Sequence, residues 1–163
     1  LDLGFKIHLT WPSTDLSPLT PGDRVQSTPR KKSRPFPYQF QPVRDRQTAY
    51  HTYAARLLHI VDGDTLRLDI DLGFGVRIDQ RVRLRSIDTP EMKTPEGIRA
   101  KSFVQTALKT ISTLAVTTTK PDKYDRYLAD IFYLSGETGP EVVIKEGIFL
   151  NRELLKAGLA KRY

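Results

Sequence analysis

The sequence predicts a mainly β chain with some helix, an α+β domain built on a small five-stranded barrel and preceded by an unpacked arm. Three observations carry that expectation. Short segments with alternating, often β-branched residues fill the stretch from Tyr53 onward, the period of half-buried strands. One longer segment, residues 96–111, switches to a helical period. Seven of the eleven prolines fall in residues 1–50, where each removes a backbone donor and fixes φ.

Residues 1–50 therefore read as a Pro-rich basic arm or linker, extended, and residues 51–163 as the folded domain. With 39% hydrophobic and 28% charged residues, the chain suits a water-soluble protein of which part is unpacked. Within the arm, Phe36, Tyr38 and Phe40 alternate as a strand would, and Arg30-Lys31-Lys32-Ser33-Arg34 forms a basic run. That run fits either a solvated linker or a grip on nucleic acid. The chain begins at Leu1 without a methionine, so the expectation is that something was removed ahead of it. No signal-peptide layout or apolar run of membrane-spanning length is present in this sequence. Secreted and cytoplasmic settings are both compatible with it.

In the domain, residues 53–61 read as a first strand, broken at Asp62-Gly63. Leu66, Leu68, Ile70 and Leu72 then alternate with Arg67, Asp69 and Asp71 in a second. Gly73-Phe74-Gly75 turns it into a third, residues 76–87, where Val82 and Leu84 face a core and Arg81, Arg83 and Arg85 share the opposite face. The helix of residues 96–111 places Ile98, Phe103, Val104, Ala107, Leu108 and Ile111 on one side. Strands near residues 114–119 and 127–134 flank a polar loop, Lys120 to Arg126. Gly136 to Pro140 reads as another hairpin turn, leading through Val142, Val143 and Ile144 to Gly147. A short helix, residues 150–157, is stopped by Gly158. Five strands with a helix after the third describe a Greek-key barrel of the OB type.

The chain has no cysteine and three histidines, which excludes disulfides and thiolate centres and argues against zinc. Oxygen ligands remain, favouring a hard ion such as calcium or magnesium. The net charge of +7 points to polyanionic partners. It is denser in the arm, with eight cations against four acids in residues 1–50 and eighteen against fifteen in residues 51–163.

The chemistry concentrates in Arg83 to Glu91, where a basic strand runs into Asp88-Thr89-Pro90-Glu91. Alone, this is a solvated strand face and a polar turn, just as Asp62-Gly63-Asp64-Thr65 alone is a hairpin turn. Together they bring two carboxylates close, since Asp64 opens a strand and Asp88 ends another that should pair beside it. Such carboxylates repel unless a cation lies between them. Asp64, Asp88 and the Thr89 carbonyl, aimed by Pro90, suit a calcium-like ion. Glu91 can act as a general base on water, and arginines can neutralise charge on phosphorus with planar, paired donors. Arg83 and Asp88 would lie about 16 Å apart on a straight strand at roughly 3.3 Å per residue, so the chain must bend around Ser86 to Thr89 if both are to serve one phosphate. Arg126, after Lys123 and Tyr124, is the candidate second arginine.

Four segments in order, Asp62 to Thr65, Arg83 to Glu91, Asp122-Lys123-Tyr124-Asp125-Arg126 and Leu154 to Ala160, resemble the signatures of the staphylococcal nuclease (thermonuclease) family over roughly residues 53–163. The resemblance implies an OB-type barrel and calcium-dependent hydrolysis of DNA and RNA that leaves 3′-phosphate ends. It implies calcium on Asp64, Asp88 and the Thr89 carbonyl, with Glu91 as general base. Arg83 and Arg126 would contact the scissile phosphate and stabilise its five-coordinate transition state. Lys123 and Tyr124 would seat the nucleotide, and the substrate is expected single-stranded or frayed. The chain departs from the family's type member in a longer hairpin between Leu68 and Arg83 and a shorter loop from Glu91 to Gly97. Asp125 replaces a common glycine, residues 135–149 are enlarged, and the chain ends at Tyr163 before the type member's final helix. The alternatives are a non-cleaving nucleic-acid-binding or scaffold module on the same barrel, and a structural ion site whose basic face engages a protein.

Overall fold

The computed structural model describes residues 1–10, 19–20, 23, 25–29, 38–42, 51–121, 126–136 and 139–163. By their internal contacts the residues divide into two units, Leu1–Ala49 and Tyr50–Tyr163.

In the first unit, β1 (Val25–Pro29) and β2 (Tyr38–Pro42) form an antiparallel ribbon running from Val25 opposite Pro42 to Pro29 opposite Tyr38. These two stretches of the arm are extended and paired with each other. Pro29 and Pro42 are the last residues of their strands, positions where a missing N–H interrupts little of the ladder. Tyr38 and Phe40 keep the predicted alternation, both half-buried around an exposed Gln39. Phe36 and the basic run Arg30 to Arg34 lie outside the described residues.

The second unit is a closed barrel. β3 (Thr52–Ile60) pairs antiparallel with β4 (Thr65–Asp71), which pairs antiparallel with β5 (Arg77–Leu84). Leu66, Leu68 and Ile70 of β4 are fully buried, and burying an aliphatic side chain of this size contributes about 1.5–3 kcal/mol. The β4–β5 turn uses left-handed backbone at Gly73, Phe74 and Gly75 (φ 78°, 57° and 75°) and is closed by the Leu72 N–H on the Val76 carbonyl at 3.0 Å. On the outer face of this hairpin, Arg67 pairs with Asp79 at 2.7 Å, and Arg77 pairs with Asp69 at 2.7 Å and Asp71 at 2.9 Å. Arg77 holds the Asp69 carboxyl below its ordinary pKa. The hairpin thus pairs Arg67 and Arg77 with its three acids.

The expected third strand breaks early. After Leu84, Ser86 takes a left-handed conformation (φ 58°), and the two-residue β6 (Ile87–Asp88) pairs with β10 (Lys161–Arg162) near the end of the chain. The helix α1 (Pro95–Leu108) follows. Its buried residues are Gly97, Ala100, Val104 and Leu108, whereas Ile98 is 53% exposed. Hydrophobic periodicity placed Ile98 on the inner face. The helix instead seats the small residues Gly97 and Ala100 where it meets backbone, a closeness that apolar patterning does not register.

β7 (Leu114–Pro121) pairs antiparallel with β3 and with β8 (Tyr127–Tyr133). β8 closes the barrel by pairing parallel with β5, Val82 with Tyr127, Arg83 with Leu128 and Leu84 with Ala129. The strand order β5-β4-β3-β7-β8 returns to β5. This is the predicted five-stranded α+β barrel, consistent with an OB fold. Residues 140–146 are helical, α2 (Pro140–Glu146), rather than the far arm of a hairpin. Pro140 sits in the first turn, where its missing N–H and fixed φ suit a helix start. β9 (Ile148–Phe149) then adds to β8, stacking Phe149 on Phe132 with ring centroids 4.8 Å apart. α3 (Leu150–Lys156) ends at Gly158 (φ 68°), with the Leu159 N–H on the Leu154 carbonyl at 3.0 Å, the bond of a Schellman cap. Among the described residues no helix is long and apolar enough to cross a membrane.

One polar side chain completes the closure. The β5–β8 seam ends with the Arg85 N–H on the Ala129 carbonyl at 2.9 Å, after which the chain turns away. Asn151 of α3, 2% exposed, takes over. Its Oδ1 accepts from the Ile131 N–H at 3.3 Å, and its Nδ2 donates to the Ala129 and Arg85 carbonyls at 3.1 and 3.2 Å. The carboxamide acts here as a surrogate peptide group.

Candidate functional site

The turn between β3 and β4 sets the first carboxylate. Asp62 Oδ1 accepts from the Asp64 N–H at 3.1 Å, and the Leu84 N–H donates to the Asp64 carbonyl at 2.7 Å, tying this turn to the end of β5. Gly63 is required between them. A Cβ there would lie 2.7 Å from Ala100 Cβ and 2.9 Å from Thr89 Oγ1, below any normal contact distance. The turn, α1 and the segment after β6 therefore meet at one glycine.

Asp64 is 2% exposed, and both of its oxygens are occupied. Oδ1 accepts from Arg83 Nη1 at 2.9 Å and Thr65 Oγ1 at 3.0 Å. Oδ2 accepts from the Thr89 N–H at 2.9 Å and Thr89 Oγ1 at 3.1 Å. Burial raises the pKa of this carboxyl, and the Thr89 N–H and the Arg83 guanidinium pull against the rise. Arg83 also donates through Nη2 to Asp88 Oδ1. Asp64, Arg83, Asp88 and Thr89 thus converge. They do so by the break at Ser86 and not by strand pairing, since the residue opposite Arg83 on β4 is Thr65 and Asp88 pairs with Lys161. The cation between the two carboxylates is the chain's own arginine.

The three arginines that share a strand face have separate assignments. Arg81 is exposed. Arg83 bridges the two acids. Arg85 pairs with Asp130 of β8 at 3.3 Å, and burial raises the Asp130 pKa while Arg85 opposes it. Arg126 directly precedes β8. Because Tyr127 pairs with Val82 and Leu128 with Arg83, the parallel seam delivers Arg126 beside the strand that carries Arg83. Lys123, Tyr124 and Asp125 lie outside the described residues.

Glu91 follows Thr89 by two residues. Its carboxylate is exposed, with no hydrogen bond or ion pair among the described residues, while its carbonyl is fixed by Thr94, the N-cap of α1. An exposed carboxylate on an anchored backbone can accept a proton from water. Two acids facing one position are hard oxygen donors of the kind a calcium-like ion takes, and here that position holds the Arg83 guanidinium. Among the described residues no group of three or more His, Cys, Asp or Glu side chains gathers to hold a metal, so backbone carbonyls and water would have to complete such a shell.

Sequence reasoning missed Asn151, the Thr94 anchor and the tight fits at Gly63 and Gly97. Asn151 left one trace, a lone amide in the apolar frame of Leu150, Leu154 and Leu155. Thr94-Pro95-Glu96-Gly97 carried the ordinary mark of a helix start, with nothing in it to tell that the cap also holds Glu91.

Compared with known proteins, residues 81–163, just over half of the chain, match the model of the family described as staphylococcal nuclease homologue. No curated protein matches the chain.

Proposed function

This chain belongs to the staphylococcal nuclease homologue family, and from that premise we propose that it is a calcium-dependent phosphodiesterase, an endonuclease that hydrolyses single-stranded or frayed DNA and RNA and leaves 3′-phosphate ends. The observation that carries the reading is the convergence of Asp64, Arg83, Asp88 and Thr89 on one point, two residues from Glu91. Although the family match begins within β5, β3 and β4 belong to the same barrel. The nuclease domain in this proposal therefore runs from 51 to 163, with residues 1–50 apart from it.

Asp64, Asp88 and the Thr89 carbonyl would hold calcium, which supplies positive charge to the scissile phosphate. The Glu91 carboxylate takes a proton from the attacking water as its oxygen bonds to phosphorus. Arg83 and Arg126 donate to the phosphoryl oxygens as charge builds there. The bond from phosphorus to the 5′ oxygen breaks, and that oxygen is protonated from solvent. Lys123 and Tyr124 seat the nucleotide.

The test is cleavage of labelled single-stranded DNA and RNA with calcium, with chelator, and by Glu91→Ala and Arg126→Ala. Loss of a positioned base or charge stabiliser should slow turnover about 10²- to 10⁴-fold. No cleavage in calcium, or full activity in both variants, overturns the proposal. Tight binding of intact oligonucleotide without products would instead identify a non-cleaving module.

A further inference from the structure

The connection from Glu91 to α1 consists only of Met92, Lys93 and Thr94, and the helix holds it closely. The Thr94 N–H donates to the Glu91 carbonyl at 2.9 Å, and the Thr94 hydroxyl donates to the same carbonyl at 2.7 Å. The same hydroxyl oxygen accepts from the Gly97 N–H at 3.1 Å. One side chain thus caps the helix and anchors the residue read as the base. Gly97 lies directly behind. A Cβ on it would stand 2.1 Å from the Glu91 carbonyl oxygen and 2.6 Å from that of Pro90, so only glycine permits the helix to approach this near. One turn along α1, Ala100 meets Gly63 in the turn that carries Asp64. A single helix face therefore backs both acidic segments.

We propose that Thr94 and Gly97 are positioning residues for Glu91, fixing the backbone from which its exposed carboxylate reaches the attacking water. The inference rests on Glu91 as general base. Its physical content is that a short, anchored connection confines the base, where a free one would let it wander. A displacement of about 1 Å can cost on the order of 10²-fold in rate.

The experiment is a double-mutant cycle on the full chain, comparing wild type, Thr94→Ala, Glu91→Ala and the double variant on single-stranded DNA in calcium. kcat and KM are measured separately and normalised to the folded fraction by circular dichroism. Thr94→Ala should lower kcat about 10- to 100-fold with KM little changed, and should lower nothing further once Glu91 is alanine. Thr94→Ser should restore the rate, and Gly97→Ala should repeat the loss. Thr94→Asp separates the two roles. Its carboxylate caps the helix but has no proton to donate to the Glu91 carbonyl, so it should fold well and turn over slowly, which keeps the proposal testable if Thr94→Ala fails to fold. Equal fractional losses in both Glu91 backgrounds, an effect on KM alone, or wild-type turnover by Thr94→Asp overturns the inference while leaving the phosphodiesterase reading intact. A wild type that does not cleave, or Glu91→Ala at full rate, removes the base and this inference with it.

Discussion

Asn151→Ala should weaken the barrel more than any other polar truncation away from the acidic turns, and its cost can be worked bond by bond. Three hydrogen bonds are lost, but not with equal effect. The Ala129 carbonyl keeps the Arg85 N–H at 2.9 Å. The Arg85 carbonyl, part-buried where the chain leaves the seam, can take water. The Ile131 N–H, on a fully buried residue, keeps no partner. The orphaned buried donor costs about 1–3 kcal/mol and each of the other two lost hydrogen bonds about 0.5–1.5 kcal/mol, giving about 2–6 kcal/mol in all. That is a large part of a typical stability of about 5–15 kcal/mol. Equilibrium urea unfolding should show a lowered midpoint with an unchanged slope. Asn151→Asp keeps an acceptor for the Ile131 N–H but turns an oxygen toward two carbonyls. It should be worse than alanine near neutral pH and recover on acidification, as protonation restores a donor. A loss below about 0.5 kcal/mol for Asn151→Ala, the range of ordinary surface changes, would refute the idea that this amide completes the seam.

Two further outcomes follow from a close approach and a buried charge. Gly63→Ala puts a methyl 2.7 Å from Ala100 Cβ and 2.9 Å from Thr89 Oγ1, so it should cost about 1–3 kcal/mol by overpacking. Ala100→Gly in the same molecule should recover part of that loss in thermal unfolding, and no recovery would place the strain elsewhere. For Asp130, burial raises the folded-state pKa, so the folded protein holds this proton more tightly than the unfolded chain. The group therefore adds stability as pH falls through the raised pKa and loses that contribution as pH rises. The stability of wild type relative to Asp130→Asn should rise on acidification from neutral pH in urea titrations. A relative stability that falls contradicts the assignment.

Much of the barrel was legible because strand alternation is a one-dimensional signal. Leu66, Leu68 and Ile70 announced their face in β4, and Val82 and Leu84 did so in β5. The bend required between Arg83 and Asp88 was legible from length alone, and Ser86 supplies it. What escaped depends on objects that a local pattern does not contain. Gly97 and Ala100 face inward because backbone lies against them, not because they are apolar. Residues 140–146 form a helix although Val142, Val143 and Ile144 favour strands, a case of context overriding propensity. The identities of Asp64, Arg83, Asp88 and Thr89 as neighbours could be read from motif spacing. That Arg83 would lie between the two acids, and that Thr94 would hold Glu91, required the fold.

The Arg83 bridge has a consequence for how the chain matures. Two acids on separate turns would oppose each other during folding, and metal-dependent domains solve that problem by remaining unfolded until loaded. Here an arginine from the intervening strand is a built-in counterion, available as soon as β4 and β5 pair. Assembly of the barrel is thereby uncoupled from the supply of any divalent ion. The same guanidinium is thus a built-in counterion first and, in the proposed function, a phosphate ligand afterwards.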